Sequence, residues 1–475
     1  MTSRRKSDLF GSLPSEWSED LLPAIQRLVR QSGRKVVVLD DDPTGTQTVY
    51  DVPVLTEWSV PSLSACLAED GPVFFVLTNS RSLPLSDAQL VNRQVAANLR
   101  AAAANVGRDF VVVSRSDSTL RGHYPGEVDA LADALGGAFH GTLIAPFLLE
   151  GGRYTIGDVH YVGQGDELVP AAETEYARDA VFGYRSSSLR EWVSERRDGR
   201  LRAEDVASLS LDAIRLGGPS AVERELLELR HGRPCVVNAV SYRDLEVVVT
   251  GLLQAEAAGR RYLYRTAASF VRVRAGLPPR GLLTAWDLAT RMRCGGSRGG
   301  LVVAGSHIQR STEQIGVLRG LAGVDSVEVS AERLLSGEER AGEIGRVASQ
   351  IMAVLRDGRD ALVYTSRRLV TGGEKSGTLR IGQQVSAGLV EIVRRVEVRP
   401  AWVVAKGGIT SSDVATGALG IRRAQVLGQV MPGVPVWRTG AESRWPGLAY
   451  VVFPGNVGGP GALVEVVMVM RQAAI

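Results

Sequence analysis

Three consecutive aspartates at positions 40–42 are the residues of this 475-residue chain that most clearly suggest chemistry. They follow an apolar run (36–39) that is typical of a buried strand, and the next residues (43–45, Pro-Thr-Gly) are typical of a turn. In open α/β sheets, ligands bind just beyond the carboxyl ends of the strands. Adjacent carboxylates repel one another unless a cation or substrate hydroxyl groups use them, so we predict that Asp41 and Asp42 are catalytic. The alternative is an Asx-type turn with solvated acids.

Four arginines lie at or just after predicted strand ends in the first half of the chain: Arg81, Arg115, Arg121 and Arg153. Guanidinium groups bind carboxylates through paired hydrogen bonds, so such a set suits an acidic small molecule. A surface ion pair would explain any one of them alone, but the set beside the aspartates favours a site. Hydroxyl and carboxylate side chains directly after Arg115 suit a polyol. We therefore predict these substrate-binding residues: Arg81, Ser116, Asp117, Ser118, Arg121 and Arg153.

In the second half of the chain, one arrangement occurs three times: a predicted strand ends in a loop of small residues, which leads into a helix. The loops are Gly305-Ser306, 407–410 (Gly-Gly-Ile-Thr) and 455–459 (Gly-Asn-Val-Gly-Gly). Glycine lets the backbone approach a ligand closely, and free amides at a helix start favour phosphate oxygens. A single loop of this kind is ordinary turn chemistry, but three together indicate a nucleotide site. The chain has no GK[ST] motif, which excludes a P-loop, and no GxGxxG motif after a strand.

Apolar runs and amphipathic segments alternate along the chain, for example at 72–78, 110–113 and 301–304. This alternation predicts an α/β fold of two domains, each a mostly parallel sheet flanked by helices, with a Rossmann-like N-terminal domain. Ser86 and Ser311 each begin a capping-box pattern, so we expect them to cap helices.

The stretch 291–300 holds four glycines and three arginines and is the best linker candidate in the chain. We place the domain boundary there, which gives an N-terminal domain over 1–295 and a C-terminal domain over 296–475. The segment 155–230 is polar and less regular, and we interpret it as an insertion with some helix.

The composition is that of an ordinary globular protein, with 44% hydrophobic and 23% charged residues. The net charge of +3 is dispersed, which argues against a nucleic-acid partner. Basic residues are almost all arginine, so a lysine inside a motif is of some interest; the lysines are Lys6, Lys35, Lys375 and Lys406.

The three cysteines show no CxxC spacing and the five histidines form no ligand pair, so we predict no metal site. No apolar run reaches membrane-spanning length, and we expect a cytoplasmic protein.

Several motifs together resemble the four-carbon acid sugar kinase family, in the right order over nearly the whole chain. They are LDDDPTG, TNSRS, SRSDSTLRGHYPGE, GGRYT, AETEYARDAVFGY, AGSHIQRSTEQI, KGGITSSD and FPGNVG. The resemblance implies a sugar-acid domain followed by a nucleotide domain, with the aspartate pair of the family on Asp41 and Asp42. It places nucleotide contacts on Ser306, Gly407, Gly408, Ile409, Thr410, Gly455 and Asn456, and a homodimer is possible.

Two positions depart from the family pattern. Ile409 stands where the family commonly has Glu, and Pro43 stands where an aromatic residue is usual. A backbone contact to phosphate or ribose survives the change at Ile409, whereas a role of that carboxylate does not.

The resemblance implies ATP-dependent phosphorylation of a terminal hydroxyl of a small sugar acid such as threonate, erythronate or 3-oxo-tetronate, with Mg²⁺ on the ATP phosphates. We expect the arginines to hold the substrate carboxylate, and Asp41 or Asp42 to accept the hydroxyl proton while the other orients the substrate. Two alternatives remain open: an ATP-independent isomerase or aldolase acting on acidic sugars, and a non-catalytic sugar-acid-binding protein.

Overall fold

The computed structural model describes residues 3–292, 296–305, 308–366, 375–455 and 457–474. The strands are β1 (Arg4–Arg5), β2 (Lys35–Asp40), β3 (Val52–Leu55), β4 (Val73–Leu77), β5 (Phe110–Arg115), β6 (Gly141–Ala145), β7 (Arg153–Ile156), β8 (Val159–Gln164), β9 (Glu167–Pro170), β10 (Ala207–Leu209), β11 (Arg233–Val237), β12 (Tyr262–Thr266), β13 (Leu301–Ala304), β14 (Val324–Val329), β15 (Asp360–Thr365), β16 (Trp402–Lys406), β17 (Arg423–Met431), β18 (Val434–Thr439) and β19 (Ala449–Phe453).

The helices are α1 (Lys6–Gly11), α2 (Leu22–Ser32), α3 (Val60–Ala68), α4 (Leu85–Val106), α5 (Gly126–Leu135), α6 (Leu189–Arg196), α7 (Leu211–Arg215), α8 (Gly218–Leu227), α9 (Tyr242–Ala257), α10 (Ala268–Arg274), α11 (Ala285–Arg291), α12 (Gln309–Arg319), α13 (Ala331–Leu335), α14 (Arg340–Arg356), α15 (Lys375–Arg395), α16 (Gly408–Asp413) and α17 (Ala462–Ala473). Helix α4 is preceded by Pro84 and α12 by Ile308, both with extended backbone, so Ser86 and Ser311 lie inside these helices. The prediction that they are caps is therefore wrong, because each helix begins earlier than the pattern suggested.

The chain forms two compact units, one made of residues up to 49 and 57–279, the other of 50–56 and the residues from 280 onward. The first unit contains a parallel sheet in the order β10-β11-β6-β12-β5-β2-β4. Its central strands are buried along their whole length, as expected when helices cover both faces. A smaller antiparallel sheet, β1-β9-β8-β7, is built from the first residues and part of the irregular segment.

The second unit contains a mixed sheet in the order β3-β17-β18-β19-β16-β13-β15-β14. The five strands from β19 to β14 are parallel, while β3, β17 and β18 are antiparallel. The predicted α/β class with mostly parallel sheets flanked by helices is confirmed. The division of function at residue 295 stays a prediction.

Candidate active site

The three aspartates at the end of β2 lie in different environments although they are consecutive. Asp42 begins a short 3₁₀ turn (Pro43–Thr46), and its Oδ1 accepts a hydrogen bond of 2.9 Å from the Thr44 amide. The turn folds back over the strand end, and a Cβ atom on Gly45 would lie 2.1 Å from Asp40 Oδ2. The loop therefore closes over Asp40 and leaves the next two carboxylates to face other partners.

Asp40 forms a buried ion pair with Arg115, whose Nη1 lies 2.9 Å from Asp40 Oδ1. Burial raises the pKa of Asp40 to about 7, against the opposing effect of Arg115. Both side chains are nearly inaccessible to solvent. This pair ties β2 to the neighbouring strand β5, so we assign Asp40 a structural role.

Asp41 is also buried but has unused hydrogen-bonding capacity. The Ser116 hydroxyl donates to its Oδ2, while Oδ1 accepts no hydrogen bond from any described residue. Two guanidinium groups lie near the carboxylate: Arg115 Nη1 is 3.7 Å from Oδ1, and Arg265 Nη1 is 4.0 Å from Oδ2. Asp41 Oδ1 is therefore available as a hydrogen-bond acceptor for a hydroxyl group.

Both carboxylate oxygens of Asp42 have partners. Arg81 forms an ion pair with its Oδ2, and Oδ1 accepts the Thr44 amide. Burial opposes ionisation, but Arg81 and Arg115 outweigh it and hold the pKa of Asp42 below its usual value. This carboxylate is thus a poor proton acceptor and a good anchor for Arg81.

Asp117, after β5, holds two of the predicted substrate-binding arginines. Its Oδ2 accepts a 2.7 Å hydrogen bond from Arg121 Nε, and its Oδ1 lies 3.6 Å from Arg81 Nη1. Burial opposes ionisation of Asp117, but Arg121 and Arg81 lower its pKa well below the usual range. Asp117 therefore fixes the direction in which both guanidinium groups point.

Arg121 and Arg153 come together at one aromatic ring. Their guanidinium carbons lie 5.1 Å and 5.5 Å from the ring centroid of Tyr176. Such contacts between cations and π systems are attractive, since the ring face carries partial negative charge. The structure thus brings two cations, which repel each other, into one partly exposed cluster.

The backbone of Ser118 is held by a buried histidine from β8. His160 Nε2 lies 2.7 Å from the Ser118 carbonyl oxygen, and Nδ1 lies 3.0 Å from the Thr155 hydroxyl. Because a carbonyl can only accept, Nε2 carries the proton and Nδ1 accepts from Thr155. Burial lowers the pKa of His160 to about 4, which keeps the ring neutral.

Two charged residues of this cluster were not singled out from the sequence, Arg265 and Glu127. Arg265 is the penultimate residue of β12, is 5% exposed, and donates from Nη2 to the Arg121 carbonyl oxygen at 3.0 Å. A Cβ atom on Gly122, which has φ +115°, would lie 2.8 Å from the same Nη2. Glu127 lies in the first turn of α5, and burial raises its pKa. Arg265 could have been found by the rule that selected Arg81, an arginine at a strand end.

In the second unit, β13, β16 and β19 are parallel neighbours, so the loops after them lie at one edge of the sheet. Gly407 has φ +110°, a conformation that favours glycine, and immediately precedes α16. A Cβ atom on Gly305 would lie 2.6 Å from the Thr410 hydroxyl oxygen, so the first two loops are in contact. Gly408 is the first residue of α16, and Ile409 is 55% exposed.

Lys406 forms hydrogen bonds with the backbone at the start of the third loop. Its Nζ donates to the carbonyl oxygens of Pro454 at 2.7 Å and Gly455 at 3.0 Å. Gln314 on α12 donates to the carbonyl oxygens of Val457 and Gly459, at 3.0 Å and 2.9 Å. The predicted contacts Ser306 and Asn456 lie outside the described residues.

Within the described ranges, no group of three or more His, Cys, Asp or Glu side chains is arranged to hold a metal ion. Nor does that part of the chain contain a helix long and apolar enough to cross a membrane.

Two family models match the chain. One is described as a sugar-binding N-terminal domain and matches residues 36–274; the other is described as a nucleotide-binding C-terminal domain and matches residues 301–463. A D-erythronate kinase from Heliobacterium modesticaldum is 25% identical over 286 residues. That alignment covers 60% of this chain and 59% of the relative, so the chain spans less than two thirds of the length of the relative.

Two solved structures resemble the protein in fold. A Salmonella typhimurium LT2 protein, provisionally named a tRNA synthase, has a TM-score of 0.65 at 19% identity, with 91% of this chain and 98% of that chain covered. A Haemophilus influenzae protein has a TM-score of 0.58 at 18% identity, with coverage of 90% and 98%. At these identities the likeness concerns the fold.

Proposed function

The chain belongs to the four-carbon acid sugar kinase family, and we propose that it transfers the terminal phosphoryl group of ATP to a terminal hydroxyl of a four-carbon sugar acid such as erythronate, threonate or 3-oxo-tetronate. The observation that carries the proposal is the cluster at the end of β2, where three carboxylates lie beside Arg81 and Arg115. Such a cluster suits a substrate that carries both hydroxyl groups and a negative charge.

On the substrate side, we assign the carboxylate of the acid to Arg121 and Arg153, because both are partly exposed and lie against Tyr176. Arg81 is held by Asp42 and Asp117. We assign contacts with substrate oxygens to it. The hydroxyl groups of Ser116 and Ser118 are further candidates for polyol contacts.

We assign the proton-accepting role to Asp41 and the orienting role to Asp42. Asp41 retains an oxygen that accepts no hydrogen bond from the described residues, whereas both oxygens of Asp42 have partners. A phosphoryl transfer needs mainly positioning and charge neutralisation, so a base that removes the hydroxyl proton completes the substrate side.

On the nucleotide side, we assign the ATP phosphates to the backbone amides of Gly407, Gly408, Ile409 and Thr410, with Ser306, Gly455 and Asn456 as further contacts. The glycine conformation at Gly407 and the tight approach of Gly305 to Thr410 fit a loop that admits a ligand closely. Mg²⁺ would enter bound to the ATP phosphates and neutralise their charge. In this proposal residues 1–295 bind the acid and 296–475 the nucleotide.

The proposal is tested by measuring ADP release with ATP and Mg²⁺ over a panel of three- to six-carbon aldonic and oxo-aldonic acids. We expect release that depends on the acid and is fastest with a four-carbon member. Conversion of an acid without ATP would favour an isomerase or aldolase. Binding of an acid without any turnover would favour a sugar-acid-binding protein.

The roles that we assign to Asp41 and Asp42 can be tested separately by substitution. Because Asp41→Asn removes the base, we expect kcat to fall about 100-fold or more with little change in the KM for ATP. Asp42→Asn releases Arg81, so we expect its main effect on the KM for the acid. The exposed Asp70→Asn serves as a control and should leave both constants unchanged. An unchanged kcat in Asp41→Asn would contradict the assignment.

A further inference from the structure

Lys406 is a buried lysine at the end of β16 whose side chain reaches the next strand. It is fully inaccessible to solvent, and β16 pairs with β19 so that Lys406 lies opposite Phe453. Its Nζ lies 4.4 Å from the ring centroid of Phe453 and donates to the carbonyl oxygens of Pro454 and Gly455. The ammonium group therefore holds the start of the third glycine loop by its backbone.

Within the part of the chain that the structure describes, no carboxylate balances the charge of Lys406. No carboxylate oxygen of the described residues forms an ion pair with its Nζ, and the charged neighbour that acts on it is a second cation, Arg310 on α12. Burial, and then Arg310, lower the pKa of Lys406 to about 7. A buried cation close to a second cation is stabilised when an anion lies beside it.

Lys35 shows that this arrangement is not general for buried lysines in the chain. Lys35 is 1% exposed and donates to one backbone carbonyl oxygen, that of Glu69, at 2.7 Å. Burial and the cation Arg108 oppose its charge, whereas the carboxylates Glu69 and Asp70 favour it. Among the described residues, no carboxylate favours the charge of Lys406 in the way that Glu69 and Asp70 favour that of Lys35.

We propose that Lys406 is a positioning residue of the nucleotide site, whose buried charge is balanced by the phosphate groups of the bound nucleotide while its hydrogen bonds hold the Pro454–Gly455 backbone. The proposal rests on the proposed function, in that the ligand of this unit is a nucleotide.

The first test is calorimetric titration of the full-length protein with ATP and with adenosine, which carries no phosphate. Lys406→Gln keeps a donor for the loop carbonyls but loses the charge, and Lys406→Met loses both. We expect both variants to bind ATP at least tenfold more weakly and adenosine within twofold of the original protein. Lys35→Met is the matched control, and we expect it to leave ATP affinity within twofold although it also removes a buried lysine.

A second measurement uses the unchanged protein, so it does not depend on the folding of a variant. Titration with ATP at pH 8 in buffers of different ionisation enthalpy reports proton uptake, because a bound anion raises the pKa of Lys406 while the phosphate groups are already ionised. We expect an uptake of more than half a proton for each ATP, and none with adenosine.

Neither measurement needs an acceptor acid, so its outcome is separate from that of the kinase assay. ATP binding that is equal in all variants, or that proceeds without proton uptake, would overturn the role of Lys406 and leave the proposed function standing. No ATP binding by the original protein would overturn the nucleotide assignment and this proposal together.

Discussion

At the scale of single residues, the three consecutive aspartates differ in their hydrogen bonds and ion pairs, because the fold gives each of them different neighbours. Asp40 is closed off by the turn and paired with Arg115, Asp42 is paired with Arg81, and Asp41 keeps an oxygen without a hydrogen bond. The sequence alone does not show which of these three aspartates has which role, because they are the same residue type at consecutive positions. Their partners Arg81 and Arg115 lie just after β4 and at the end of β5. They reach the aspartates because both strands pair in parallel with β2.

His160 gives a residue-scale prediction about pH. Its pKa is about 4 in the folded protein and near the ordinary 6.5 when unfolded, so between these values the unfolded state binds more protons. The stability due to the neutral ring is present above pH 6.5 and is lost as the pH falls towards 4. The shift corresponds to about 3 kcal/mol.

Urea unfolding of the original protein and of His160→Gln between pH 7.5 and 4 measures this effect. We expect the free energy of unfolding of the original protein to fall more steeply below pH 6.5 than that of the variant. The partly exposed His140→Gln should follow the original curve. Parallel curves for the original protein and His160→Gln would show that His160 is not the titrating group.

At the scale of elements, the turn after β2 depends on Gly45. A methyl group there would lie 2.1 Å from Asp40 Oδ2, so Gly45→Ala must displace either the carboxylate or the turn. We expect a loss of about 1–3 kcal/mol in unfolding experiments and a fall in kcat, because Asp41 moves with its neighbours. Gly71→Ala, where a Cβ atom meets nothing within 4 Å, is the matched control. Equal stability of the two variants would contradict the role of this turn.

The short 3₁₀ helix Glu175–Arg178 also belongs to this scale, since it carries Tyr176 to Arg121 and Arg153. We expect Tyr176→Leu to raise the KM for the acid about fivefold, because the ring no longer holds either guanidinium group. Tyr176→Phe keeps the ring and should restore the original KM. Steady-state kinetics with D-erythronate as the probe acid decide the matter, and an unchanged KM in Tyr176→Leu would exclude the contact from substrate binding.

Buried parallel strands were predictable from the sequence because continuous apolar runs leave little alternative. The predicted run 36–39 lies within β2, and 72–78 contains β4. The antiparallel pair β17 and β18 was not evident, since register shifts near Gly428 interrupt the alternation of apolar residues. Arg265 could have been selected as an arginine at a predicted strand end. Its contacts with Asp41 and Arg121, however, depend on the placement of β12 beside β5 and β6, which spacing along the chain does not encode.

At the scale of the whole molecule, the proposal assigns different substrates to the two compact units, and this division can be tested by two variants. Arg121→Lys loses the planar donor set that suits a carboxylate, so we expect a KM for the acid at least tenfold higher. Gly407→Ala places a side chain at φ +110°, so we expect a KM for ATP at least tenfold higher.

Each variant should leave the KM for the other substrate within twofold, because the residue it changes belongs to one unit only. Steady-state kinetics with both substrates varied, together with calorimetric binding of ATP alone, measure all four effects. If Gly407→Ala changed the KM for the acid as strongly as the KM for ATP, the loop after β16 would not be a dedicated nucleotide loop. If Arg121→Lys impaired ATP binding in the absence of an acid, the assignment of the first unit to the acid alone would be wrong.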